Sequence, residues 1–472
     1  MSRNAHADAL IGFLNASPTP FHAVQTAADR LLALGAVQLD EKETWHLQPG
    51  STAFVIRNAS SIVALRVPAD VDRPQFRIVA AHTDSPCLKL KPRPPDPSAN
   101  YLQWGVEVYG GVLYNSWLDR DLGVAGRVSR VVDGAVKSVL VRSEGKPFRI
   151  PQLAIHLDRG VNDSGLILNA QRHLQPVLGL TGWSGQPTTG FGAIAGLGDP
   201  DGLGALGALG ALGGLGGMGG AGGIEGKGNH SLEGWLEEAM GAQFRSLSFE
   251  LHLYDTSPAG YGGLDDDFIY SGRLDNLAMS HAALEAFCLE DAVAGHKAIQ
   301  VAALFDNEEV GSTSAQGANS NLIAATLERA LIALGCGRGD SLAVLARSHL
   351  ISADMAHAIH PNYPEKHEPY HFPLINRGPV IKGNANMRYA TNGETAALFR
   401  SICGRAGVPA QDFINRADLA CGTTIGPHVA AALGVPTVDV GSPMLSMHSI
   451  REMCGSEDHG MMIRAFRQFF RD

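Results

Sequence analysis

Four short apolar runs, far apart in the chain, each lead directly into a side chain of the kind that binds metal ions. Ile78–Ala81 runs into His82 and Asp84, and Val301–Phe305 into Glu308 and Glu309. Leu350 and Ile351 precede Asp354, and VPTVDV leads through GSPMLSM to His448. Ligand sites in open α/β sheets gather outside the carboxyl ends of strands, so these points converge if the four runs are neighbouring parallel strands. The rest of the pattern agrees with such a sheet. From about residue 240 onward, strand-like runs such as AIQVAALF and VPTVDV alternate with helical ones such as NLIAATLERALIAL and GPHVAAAL. Alternation of this kind reads as a parallel or mixed sheet flanked by helices.

Residues 8–35 carry apolar positions at helical spacing, broken at Ser17-Pro18-Thr19-Pro20. Between 88 and 157 the pattern changes to short strands and turns, with Val106, Val108, Val112, Val136, Val139 and Val141. The partition that follows is a catalytic α/β domain made of residues 1–87 and 240–472, with a β-rich domain, 88–239, inserted between them. Within the insertion, about residues 185–229, a Gly-Ala-Leu repeat has too much backbone freedom to hold a helix or strand and reads as a mobile loop.

Composition narrows the function. Lysine and arginine number 37 against 47 acidic residues, a net charge of −10, which argues against a phosphate-binding nucleic-acid surface. The six cysteines are scattered without a C-x-x-C pair, so zinc knuckles and disulfide frameworks are not expected. No signal peptide is visible, and no apolar run reaches the roughly 18 residues of a membrane span. The expectation is a cytoplasmic protein with no nucleic-acid or membrane partner. A G-x-S-x-G elbow and a G-x-x-x-x-G-K-[ST] phosphate loop are both missing.

Two histidines and at least three carboxylates, counting Asp275 in SGRLDNL, exceed what one ion needs and suit a pair of divalent ions with a shared carboxylate. A His/carboxylate set without thiolate favours zinc, with cobalt or manganese as substitutes. Of the consecutive Glu308 and Glu309, one can bind metal while the other takes a proton from water. Asp84 is placed to fix the tautomer of His82. Each short pattern alone is common on protein surfaces; the joint pattern carries the argument. His357 and His360, three apart on an expected helix, lack the H-E-x-x-H arrangement, and His367 and His371 fall in a Pro/Tyr loop that they are expected to shape.

At these residues the chain resembles the M18 metallo-aminopeptidases, the aspartyl aminopeptidase group, and especially its bacterial members. Nine stretches in the family's order carry the resemblance, among them SPTPFHAV, AAHTDSPCLKLKP, SWLDRDLGVAGRV, SGRLDNL, DNEEVGSTSAQGA, ISADMAHAIHPNY and SPMLSMHSIREM. The resemblance implies two zinc ions per subunit, one held by His82, Asp275 and Asp354, the other by Asp275, Glu309 and His448. It also implies Glu308 as the general base and Asp84 as the group orienting His82. His156 in PQLAIHL would reach a neighbouring subunit's site, while Lys382 and Tyr389 would line the substrate pocket. The implied assembly is a dodecamer built from dimers through the inserted domain, acting on peptides with an N-terminal acidic residue. A preference for neutral residues such as leucine is the alternative within the same chemistry. A catalytically silent assembly protein would show a missing ligand or base, yet every matched position is filled.

Overall fold

The computed structural model describes residues 4–93, 99–143, 145, 147–180, 232–289 and 296–472. The Gly-Ala-Leu repeat expected as a mobile loop lies outside the described residues. The chain forms two compact units, one of residues 1–86, 110–112 and 257–472, the other of residues 87–109 and 113–256.

The first unit is built on a nine-stranded sheet. Its centre is four neighbouring parallel strands in the order Ile299–Phe305, Phe76–His82, His349–Ala353 and Thr437–Gly441. Both faces of these strands are covered, which is why they read as continuous apolar runs rather than alternating ones. Val79, Ala81, Ala302 and Leu304 pack on one face with the helices Ala5–Ala16, Pro20–Ala33, Leu274–Cys288 and Asp458–Arg471. Ile78, Ala80, Val301 and Ala303 pack on the other with Leu322–Ala333, Arg338–Arg347 and Ile425–Leu433. The flanks are Val37–Leu39, Thr52–Arg57 and Ser61–Arg66 on one side, and Val380–Gly383 and Gln411–Ile414 on the other. A smaller five-stranded sheet joins Gly260–Gly262, Phe268–Ser271, Glu452–Gly455, Pro443–Leu445 and Ala356–His357.

His357 therefore lies on a strand and His360 on the stretch after it, not on the expected helix. Ala356–His357 pairs with Pro443 and Met444, and Pro361 disfavours a helical conformation at the residue before it.

The second unit centres on an antiparallel sheet in the order Val106–Tyr109, Cys87–Leu90, Ser248–Asp255, Leu122–Val132 and Ala135–Arg142. Ser248–Asp255 pairs along its whole length with Leu122–Ser129, which keeps this unit going to Thr256, beyond the boundary at 239 drawn from the sequence. The two strands run so close at Gly126 that a Cβ there would stand 1.9 Å from the carbonyl oxygen of Glu250. No helix among the described residues is long and apolar enough to cross a membrane.

Candidate metal centre

The carboxyl ends of the parallel strands deliver the chemistry. Phe305 is in register with His82, so the segment after Phe305 leaves the sheet beside the one after His82. The next strand ends at Ala353, directly before Asp354. Asp275 enters from the first turn of Leu274–Cys288, where the backbone at Asp275 and Asn276 departs from helical geometry. His448 comes from a turn after Pro443–Leu445, in the left-handed region at φ 68°.

These side chains meet. His82, Asp275 and Asp354 present ligand atoms all within 4.8 Å of one another, and so do Asp275, Glu309 and His448. His82, Glu308 and Glu309 form a third such group. Asp275 is common to the first two.

The tautomers follow from the outer contacts. His82 Nδ1 lies 3.1 Å from the carbonyl oxygen of Asp84 and 3.3 Å from its Oδ1, acceptors that require the proton on Nδ1. Nε2 then turns a lone pair toward Asp354 Oδ1 at 3.5 Å, Asp275 Oδ1 at 3.6 Å and Glu308 Oε2 at 4.0 Å. His448 repeats the arrangement: Nδ1 donates to the carbonyl of Gly111 at 3.0 Å, and Nε2 faces Glu309 Oε2 at 3.3 Å and Asp275 Oδ2 at 3.4 Å. The glycine matters, since a Cβ at Gly111 would sit 3.1 Å from that Nδ1.

Lone pairs facing carboxylates are repulsive unless a cation or proton lies between them. Asp275 Oδ1 and Glu309 Oε1 are also buried without a hydrogen-bond partner, a costly state for a carboxylate. Burial and mutual repulsion push Glu308 up to about 8, and hold Glu309 well above and Asp275 above the usual carboxylate range. Burial acts against protonated His82 too, but Asp354 and Asp84 outweigh it and raise its pKa well above the ordinary imidazole value. The donor set, nitrogen and carboxylate oxygen without thiolate, fits divalent ions of the zinc class.

Hydrogen bonds between side chains and backbone groups hold the ring of candidate ligands. The carboxylate of Asp84 accepts from the amides of Glu308 and Glu309, both at 3.1 Å. Ser280 Oγ donates to the carbonyl of His82 at 2.6 Å, Ser85 Oγ to that of Asp275 at 2.5 Å, and Asn276 Nδ2 to that of Ala353 at 2.8 Å. Glu452 accepts from the amides of both Asp275 and His448. Sequence reasoning passed over Glu452, although it stands four residues after His448; an acidic residue at that spacing is equally at home on a surface.

Lys382 is buried and donates to Asp354 Oδ2 at 3.1 Å. Although burial works to raise Asp354, the Lys382 ammonium and His82 hold it below its usual range. The ammonium also lies 5.4 Å from the ring centroid of Tyr389, which packs edge-on to Phe413. His357 packs on the same Phe413. In the Pro/Tyr loop, His367 Nε2 accepts from the His360 amide at 3.0 Å. His371 pairs with Glu368. His156 lies on an exposed stretch of the second unit.

Comparison with known proteins gives this arrangement its class. The family profile described as aminopeptidase I zinc metalloprotease (M18) matches residues 13–470. The chain is 43% identical to a probable aspartyl aminopeptidase of Ricinus communis, covering 98% of this chain and 94% of that one. It is 42% identical to a probable M18 family aminopeptidase 2 of Pseudomonas fluorescens, covering 98% and 97%. Among solved structures it resembles the chain in a cryo-EM structure of an Ape4 and Nbr1 complex, at 37% identity and a TM-score of 0.85, over 99% of this chain and 85% of that one. It also resembles the mApe1 dodecamer of S. cerevisiae, at 28% identity and a TM-score of 0.76, over 98% and 96%. The chain belongs to the M18 family of zinc metallopeptidases. It is a metallo-aminopeptidase, a hydrolase of peptide bonds.

Proposed function

We propose that this aminopeptidase acts in the cytoplasm through two divalent ions and removes acidic residues, aspartate or glutamate, from the N-termini of peptides. The observation that carries the dinuclear reading is the sharing of Asp275 between two three-residue groups, each with one imidazole Nε2 turned inward. His82, Asp275 and Asp354 would hold one zinc, and Asp275, Glu309 and His448 the other; cobalt or manganese would serve as substitutes. Bound there, the cations would supply Lewis acidity toward a peptide carbonyl and lower the pKa of a water.

The chain's own residues do the rest. Glu308, outside both of those groups, takes a proton from the attacking water and returns it to the leaving amine. Asp84, through the amides of Glu308 and Glu309, keeps base and ligand in fixed relation. The carboxylates around the cluster recognise the free α-amine, which confines cleavage to the first residue. Lys382 spends one donor on Asp354, leaving two of its three for an acidic side chain, and Tyr389 walls the same space. The name of the Ricinus relative supports the acidic preference.

We also infer a homo-oligomer built from dimers through the second unit; the S. cerevisiae mApe1 that the chain resembles forms a dodecamer. Leu153, Ile155, Leu157 and Ile167 stand exposed there, with His156 between two of them, a placement suited to reaching a neighbouring subunit's substrate. Purified protein supplied with zinc or cobalt should cleave Asp- and Glu-led peptides at least about tenfold better than Leu-led ones, and N-acetylated peptides not at all. Equal or better cleavage of Leu-led peptides would move the assignment to neutral specificity.

A further inference from the structure

One buried carboxylate close to the cluster has no part in the chemistry above. Glu452 opens the strand Glu452–Gly455, whose register sets it opposite Ser271, the last residue of Phe268–Ser271. From Ser271 the chain turns through Gly272 and Arg273 into Leu274 and Asp275. That turn passes so close to the neighbouring strand that a Cβ at Gly272 would lie 2.5 Å from the carbonyl oxygen of Ile450. Glu452 is thereby within reach of two segments at once. Its Oε2 accepts from the amide of Asp275 at 3.1 Å and its Oε1 from the amide of His448 at 2.8 Å. The residue is 2% exposed.

These two bonds tie together residues 173 positions apart in the chain, both with side chains facing the cluster. His448 has the greater need of support, since its backbone is left-handed and its side chain is 30% exposed. A carboxylate that accepts two backbone donors at once holds them at a fixed separation, as Asp84 does for Glu308 and Glu309.

We propose that Glu452 is a positioning residue that sets the cation affinity of the Asp275/Glu309/His448 group. The inference rests on the dinuclear reading. Glu452 holds two of the three ligands in that group and only one, Asp275, in the group with His82 and Asp354. Its loss therefore acts unequally, weakening the His448 half far more than the His82 half. Outer hydrogen-bond partners of metal ligands are typically worth 10–100-fold in affinity, which sets the expected size.

The test uses the full chain, stripped of metal and titrated with Co2+ while its visible absorption is followed, with Zn2+ competition against a chelator as a second measure. Wild type should take up two equivalents. Glu452→Ala should raise the dissociation constant of one equivalent about 10–100-fold and change the other by less than about threefold. Saturating Co2+ should restore most of the lost turnover. Glu452→Gln keeps one acceptor oxygen and should show the same inequality at about tenfold or less; if the alanine variant does not fold, the glutamine variant decides. Fewer than two equivalents in wild type would overturn the dinuclear reading and this proposal with it. Two equivalents bound by the variants with wild-type affinities, or with both weakened alike, would overturn the proposal alone.

Discussion

The two ligand groups that share Asp275 are built in different ways. His82 and Asp354 extend from adjacent parallel strands in a sheet buried on both faces, and the His82 side chain is only 1% exposed. Glu309 and His448 stand on turns, Glu309 after a left-handed Asn307 and His448 itself left-handed. The strand-held half takes its geometry from the core: His82 ends a strand, Phe76–His82, whose Val79 and Ala81 pack on one face of the sheet and Ile78 and Ala80 on the other. The turn-held half takes less from the core, which reaches it through Met447 beside His448, and is held by polar contacts from Asp84, Glu452 and the carbonyl of Gly111. On the dinuclear reading proposed above, a site assembled this way should hold its two cations unequally, with the His448 half the first to empty.

Substitutions can break that comparison or sharpen it. The largest effect should come from Glu308→Gln, which keeps the shape of the turn and removes the proposed base. Turnover should fall about 10²–10⁴-fold while metal analysis still finds both cations. A rate that survives with the cations in place would remove Glu308 from the mechanism. Next come the two histidines. His448→Ala should retain about one cation per chain after dialysis and His82→Ala less, with activity at limiting metal down roughly 100-fold in each. Equal retention would erase the distinction between strand-held and turn-held ligands.

Lys382→Met addresses specificity. If the ammonium meets the substrate's acidic side chain, kcat/KM for Asp- and Glu-led peptides should drop about 10–100-fold, and for Leu-led peptides by much less. An equal drop for all substrates would mean that Lys382 acts only through Asp354.

The smallest effect lies away from the cations. His281 Nδ1 and His459 Nε2 are 2.8 Å apart in stacked, fully buried rings, and one shared proton satisfies both atoms. Burial pulls His459 down to about 3 and, together with His459, holds His281 well below its ordinary value. Both groups are depressed relative to an unfolded value near 6.5, so their contribution is intact above that pH and is lost as pH falls toward 3. At pH 4.5 His459 alone should cost about 2–3 kcal/mol. His459→Gln should move the acid-unfolding midpoint of the metal-loaded protein to lower pH by a few tenths of a unit; an unchanged midpoint would show that the pair does not contribute to acid lability.

Much of the fold and the site could be read from residues alone. Continuous apolar runs such as Val301–Phe305 signalled strands covered on both faces, because strands packed between two helix layers are apolar at nearly every position. The ligand types fell at the ends of those runs, where such sheets bind their ligands. Failures came where the signal was short or non-local. Two residues of strand at Ala356–His357 cannot show a period, and a triplet spacing of histidines looked helical.

Local chemistry determined the residue types available to bind metal, and the continuous apolar runs, alternating with helical segments, determined that they would lie along one edge of a sheet. Which carboxylate is shared, which nitrogen of each histidine turns inward, and that Glu452 rather than some other acid steadies Asp275 and His448 were decided only by tertiary structure. Register between strands far apart in the chain sets those distances, and hydrogen bonds of about 3 Å leave no trace in linear order.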